Sequence, residues 1–141
     1  MTKIQKQLSE SIDIKIPFHD VDLMGVAWHG HYVKYFEIAR CALFDKLDYN
    51  YEQMKASGYA WPVIDLRVRY PNSIVFGQTV TVTASVVEWE NRLKVDYEIH
   101  DQNGKRTTKG HTIQVAVDMS KNDMCMESPM ILLEKLGVIN E

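Results

Sequence analysis

The sequence predicts an α+β fold: an antiparallel five-stranded sheet covered by one long amphipathic helix. Three observations carry this. Apolar and polar residues alternate with a period of two along most of the chain. The period changes to that of a helix for one long stretch, from about Gly30 to Leu47. After it, four alternating segments follow one another with short turns between them. At 141 residues the chain suits a single domain, taken as 1–141, with room for a real core.

The elements can be justified in order. Over residues 11–19, Ile12, Ile14, Ile16 and Phe18 point one way while Ser11, Asp13, Lys15 and His19 point the other, the pattern of a half-buried strand. Gly25 breaks that regularity. In the helical stretch Tyr32, Phe36, Ala39, Leu43 and Leu47 fall on one face, with Lys34, Glu37, Cys41 and Asp45 roughly opposite. A shorter helix is expected over residues 51–56, ended by Ser57 and Gly58.

Alternation then returns over residues 63–70 (Ile64, Leu66, Val68, Tyr70 on one face), 79–86 (Val80, Val82, Ala84, Val86), 93–100 (Leu93, Val95, Tyr97, Ile99) and about 107–118 (Ile113, Val115, Val117). Pro71 with Asn72, Glu90 with Asn91, and Asn103 with Gly104 supply the turns, the last a strong hairpin signal. Such clean alternation argues for an antiparallel sheet, one face on the helix and the other toward solvent or a partner. Pro129 followed by MILLEKL reads as a short C-terminal helix.

Composition narrows the function. With 45% hydrophobic and 25% charged residues and a net charge of -3, the chain is an ordinary soluble globular protein without the electrostatic footprint of a DNA or RNA binder. A local basic patch for a small polyanion stays open. Cys41 and Cys125 form no CxxC pair, so a reducing compartment is expected. The opening MTKIQKQLSE lacks an apolar signal core, and no run approaches the ~18 apolar residues of a membrane span. The expected location is cytoplasmic.

Chemistry concentrates in residues 18–40, FHDVDLMGVAWHGHYVKYFEIAR, where Asp20, Asp22, Gly25, His29 and His31 lead into the start of the long helix. A helix start presents unpaired N–H groups and partial positive charge, able to hold an oxyanion while a nearby carboxylate attacks or activates water. That outlines acyl transfer. Each residue also has a structural reading: Asp22 as an Asx turn or cap, Asp20 as a structural acceptor, His29 as a cap neighbour, His31 as a surface or interface residue, and Glu37 as a helix acid near Arg40. The Asp20, Asp22, His29, His31 set lacks a regular metal-ligand spacing, so no metal is expected.

The element order and this motif together resemble the hot-dog fold, in which a curved antiparallel sheet wraps a long central helix. More narrowly, the motif is similar to the signature of the 4-hydroxybenzoyl-CoA thioesterase family: Asp20, Asp22, Gly25, Val26, Ala27, Trp28, His29, then Tyr32, Tyr35, Glu37 and Arg40 on the helix. Residues 62–65 and the Phe76-Gly77 turn extend the likeness along nearly the whole chain. Two departures are Phe18, where the histidine-containing branch often has Tyr, and Gln78, where the turn often reads Gly-Asp.

The resemblance implies an acyl-CoA thioesterase that hydrolyses an aliphatic or aryl thioester of CoA or a carrier protein. Asp22 would be the catalytic carboxylate, as nucleophile or general base. His29 would serve through its N–H and its side chain, and Gly25, Val26 and Tyr35 would line the substrate. No cofactor is implied, and family members pair protomers so that the site lies at their boundary, giving a homodimer or homotetramer. A hydratase or dehydratase on the same fold and a non-catalytic acyl-thioester binding module are the alternatives.

Overall fold

In the computed structural model, residues 8–27 and 30–138 are described. Five strands, β1 (Ser9–Lys15), β3 (Val63–Arg69), β4 (Thr79–Glu88), β5 (Leu93–His100) and β6 (Arg106–Gln114), form one antiparallel sheet in the order β1-β4-β5-β6-β3. The helices among the described residues are α1 (His31–Lys46), α2 (Tyr51–Ala56) and α3 (Met130–Leu136). Three short strands, β2 (Tyr59–Ala60), β7 (Val117–Asp118) and β8 (Asp123–Met124), make a second small sheet that the alternation did not announce.

The predicted helix face is buried: Tyr32, Phe36, Ala39 and Leu43 are each at most 1% exposed. They meet the inward face of β4 and β5, where Val80, Val82, Ala84, Val95 and Tyr97 are fully buried. At 16 residues α1 runs roughly 24 Å along the sheet. Its closest approach to the sheet centre depends on Gly110 of β6. A Cβ there would lie 2.7 Å from the Phe36 ring, which stacks on Tyr97 at 4.4 Å. α2 begins with a capping box, Asn50 accepting from the Gln53 N–H and Gln53 from the Asn50 N–H.

Three expectations are corrected. The first strand ends at Lys15 rather than running to His19, because Pro17 has no N–H to donate and the chain turns through a short 3-10 segment at Phe18–Asp20. Phe18, expected inside, is 76% exposed. The last strand, expected over 107–118, stops at Gln114; Val117 and Asp118 leave the main sheet and pair with β2 and β8. The first half of the apolar face of β3 is also bare, with Ile64 58% and Leu66 41% exposed, while Val68 packs against the core. β3 is an edge strand, and α1 packs chiefly over β1 and β4, reaching β3 only near its C-terminal end, so Ile64 and Leu66 stay uncovered.

Candidate active site

Asp22 stands in a small hairpin closed by a bridge between Val21 and Ala27. The Asp22 N–H donates to the Val26 carbonyl (2.9 Å), and its carboxylate Oδ1 accepts from the Met24 N–H (2.8 Å) and more weakly from the Val26 N–H (3.4 Å). This is the Asx turn of the structural reading. It uses one oxygen. Oδ2 accepts no hydrogen bond from the described residues, and the side chain is exposed.

Gly25 holds the hairpin's left-handed corner at φ +74, and its carbonyl accepts from the Phe76 N–H at 3.0 Å. Val26 bridges Val75, and the Ala27 N–H donates to the Ile74 carbonyl at 2.6 Å. Leu23 and Met24 at the hairpin tip are 106% and 83% exposed, and the Phe18 and Phe76 rings meet edge to face beside them. The carboxylate therefore lies on an apolar, solvent-facing rim.

Directly beneath, Asp20 is 1% exposed. Both its oxygens accept from Lys34 Nζ at 2.6 Å, and Oδ2 also accepts from the Tyr35 hydroxyl at 2.8 Å. His31 Nδ1 lies 3.8 Å from Oδ1. Burial opposes ionisation, but the Lys34 ammonium and the Tyr35 hydroxyl outweigh it and hold the Asp20 carboxyl below its ordinary range. Burial, with Asp20 alongside, pushes the Tyr35 hydroxyl well up, so it remains a donor. These contacts tie the segment before the hairpin to the first turns of α1.

The helix start is available. Gly30 is the N-cap of α1, with no side-chain cap and no acidic residue in the first turn. The hairpin's last residue, Ala27, precedes that cap by three positions, at most about 11 Å of chain. Trp28 and His29 lie outside the described residues, so the expected oxyanion donor carries no geometry. Tyr35, expected to line the substrate, is 1% exposed with its hydroxyl on Asp20. Glu37 is exposed on α1, and among the described residues no three of His, Cys, Asp and Glu converge as metal ligands.

Sequence reasoning missed Lys34 as the partner of Asp20. Fourteen residues separate them, and only the turn at Phe18–Asp20 brings them together. At the far end of β3, Arg69, Arg106 and Lys109 surround a groove of about 660 Å³ with Tyr70 and Pro71. Arg69 and Lys109 are register partners, so two cations sit opposite each other across β3 and β6. Tyr70 meets Tyr32 of the first turn of α1 edge to face at 4.9 Å, so this basic groove and the Asp22 hairpin share one end of the molecule.

A helix packed on a five-stranded antiparallel sheet is the arrangement of the hot-dog class, and comparison with known proteins agrees. Residues 16–135 match the model of the thioesterase-like superfamily. The chain belongs to that superfamily and is a thioester hydrolase. It is similar to the crystal structure of DHNA-CoA thioesterase from Staphylococcus aureus, at 30% identity and a TM-score of 0.76, over 84% of this chain and 80% of that one. A hypothetical protein of Thermus thermophilus, TT1821, shares the fold at 24% identity and a TM-score of 0.81, over 94% of this chain and 98% of that one. YneP of Bacillus subtilis, provisionally named an acyl-CoA thioesterase, is 26% identical over 107 residues, 75% of this chain and 78% of YneP. No helix among the described residues is long and apolar enough to cross a membrane.

Proposed function

We propose that the protein hydrolyses an acyl-CoA thioester, aliphatic or aryl, to the free acid and CoA, with Asp22 as the catalytic carboxylate. The observation that carries this is the state of Asp22: one oxygen is fixed by its own turn, while the other faces solvent on an apolar rim beside an uncapped helix start. In the general-base route, Oδ2 takes a proton from water as the water oxygen adds to the thioester carbonyl. The C–S bond then breaks, and the thiolate leaves and takes up a proton. In the nucleophilic route Asp22 itself adds, and water cleaves the resulting anhydride. The reading assigns the developing oxyanion to the backbone N–H of His29, two residues before α1 in sequence.

Gly25 and Val26 form the wall that meets the thioester, and Tyr35 contributes by anchoring Asp20 beneath it. The basic groove at Arg69, Arg106 and Lys109 suits the phosphates of CoA better than a carrier protein's single phosphate. The chemistry requires no metal or organic cofactor. The finer kinship is to 4-hydroxybenzoyl-CoA thioesterases, with residues 1–141 as one domain acting in the cytoplasm.

The same reading makes the protein a homodimer, or a dimer of dimers. β3 offers a free edge and an uncovered apolar face, an arrangement that two copies can close by pairing with each other so that the sheet and the partner helix complete the wrapping of α1. Thiol release from short, medium, long and aromatic acyl-CoAs, compared between wild type and Asp22→Asn at matched oligomeric state, tests the proposal. A loss of about two orders of magnitude or more in the variant supports it. Equal activity would transfer the role to Glu37, and saturable binding with no thiol release would favour the binding-module reading.

A further inference from the structure

The C-terminal half of α1, α2 and the small β2–β7 sheet enclose a groove of about 750 Å³, within the range of small-molecule sites. Cys41 lines it from the exposed side of α1. An exposed thiol alone says little, but two polar side chains of the same groove say more. Gln114 is 4% exposed; its Nε2 donates to the Trp61 carbonyl at 2.7 Å, which orients the amide and leaves Oε1 as a buried acceptor without a partner among the described residues. The side chain of Arg40, the residue before Cys41, reaches the Tyr97 hydroxyl, yet its Nη1 is buried and unpartnered as well. Buried polar atoms of this kind are costly and call for a counterpart. Gln114 needs a donor and Arg40 an acceptor.

These features specify the chemistry of a ligand. A secondary amide offers an N–H and a carbonyl together and so satisfies both atoms. The charged side chains of the groove cancel, Arg40 and Lys55 against Asp45 and Glu52, so a neutral ligand suits it better than an ionic one. Aromatic walls at Phe44, Tyr59 and Trp61 favour an arm with apolar carbons between its polar groups. The pantetheine arm of CoA is neutral, carries amides along its length and ends in sulfur. Hydrolysis of an acyl-CoA releases it as a thiol, and oxidation joins two such thiols in a disulfide.

We propose that Cys41 is a modification site, at which the disulfide of a pantetheine thiol exchanges to leave the arm in mixed disulfide with the protein, its amides on Gln114 and Arg40. The Cys41 thiolate attacks one sulfur of the disulfide. The new S–S bond forms as the old one breaks, and the departing thiolate takes up the proton that Cys41 gave, so one disulfide is consumed and one is made. Free thiol reverses the step, and the mark therefore persists only while oxidised thiols accumulate. The identity of the thiol rests on the thioesterase reading above; the site adds to that reading a redox response to the enzyme's own product.

The test exposes the reduced full-length protein to pantethine, the disulfide of pantetheine, and follows the adduct on each cysteine by intact mass and peptide mapping. The arm is expected on Cys41, absent from Cys41→Ser, retained in Cys125→Ser and removed by dithiothreitol. Labelling should be about tenfold faster than with hydroxyethyl disulfide, which has a similar leaving thiol but no amides, and faster than with glutathione disulfide, which carries carboxylates beside its amides. Gln114→Met should bring the pantethine rate down to that of hydroxyethyl disulfide and leave the latter rate as it was; should that variant fold poorly, Arg40→Met makes the same comparison. No adduct on Cys41, equal rates with all three disulfides, or a preference for glutathione disulfide overturns the proposal. None of these readouts needs turnover. Absence of thiol release from acyl-CoAs therefore overturns the thioesterase reading alone, and Cys41 is judged by its own labelling.

Discussion

Asp20 and Asp22 are two residues apart and live in opposite environments. Asp20 is buried and saturated, with Lys34 on both oxygens and Tyr35 on one. Asp22 is exposed and holds only its own turn. Asp20 closes the short 3-10 segment whereas Asp22 already belongs to the hairpin, and this change of backbone between them sends the two carboxylates to different surroundings. A carboxylate that is fully hydrogen-bonded is an anchor, and one with a spare oxygen on an apolar rim is a reagent. In the proposed mechanism the Asp-x-Asp spacing therefore divides labour, Asp20 positioning the loop and Asp22 acting on the thioester.

The largest expected effect separates the two roles. Asp22→Asn should cost about two orders of magnitude or more in kcat/KM. It should leave stability nearly unchanged, because an Asn Oδ1 still accepts from the Met24 N–H; thermal unfolding run alongside thiol release checks both halves. If stability falls in step with activity, Asp22 is an anchor too.

Next, Asp20→Asn should lower stability by roughly 2 kcal/mol, less than a fully buried ion pair because Lys34 is 43% exposed and stays solvated. This variant also has a pH signature. Since the folded-state pKa of Asp20 lies below its ordinary 3.8, the ionised group contributes stability that is present above that value and lost as the pH falls through the depressed one. Urea unfolding between neutral pH and about pH 2 should show a shallower acid limb in Asp20→Asn than in wild type.

Gly110→Ala tests the seat of α1 rather than the loop. Its Cβ would clash with the Arg67 backbone carbonyl of β3 as well as with the Phe36 ring, so a loss of about 1–3 kcal/mol is expected by chemical denaturation. The smallest effect is that of Tyr35→Phe. It removes one bond to Asp20 and strands no donor, so about 1 kcal/mol is expected, with kcat/KM changed less than by Asp22→Asn. A larger kinetic effect from Tyr35→Phe would move Tyr35 to the substrate side.

Periodicity made much of this fold legible. β5 occupies the predicted residues 93–100, and the predicted stripe of α1 is its buried face, because both elements bury one side and the pattern records it. Patterning failed where burial comes from outside the strand. β3 leaves Ile64 and Leu66 of its apolar face exposed in the single chain, and the split of the last strand after Gln114 depends on β2, two residues long, too short to leave a signal. In the candidate site the motif located Asp22, Gly25 and Val26, which share one hairpin. Lys34 was filed with the solvent face of its helix because helical spacing gives azimuth and not reach, and the length of a lysine decides the contact. Beside the predicted apolar side at Ile113 and Val115, Gln114 is buried as well, because both faces of the strand are covered there.

The register of β1 carries a consequence for the order of assembly. Ser9 bonds Ser85 across 76 positions of sequence, so β1 finds its place only after β4 exists. The Asp22 hairpin lies inside that span and is held at both flanks by the segment entering β4, through Ile16 N–H to Gln78 and Ala27 N–H to Ile74. Local contacts form α1 early, whereas these long-range pairings come late. On a ribosome, the helix can wind as soon as it emerges, but the carboxylate is not set until the chain has been made through Glu88, the end of β4. Incomplete chains thus carry the motif and none of its geometry, and a half-made protein has the Asp22 carboxylate without the hairpin that holds it.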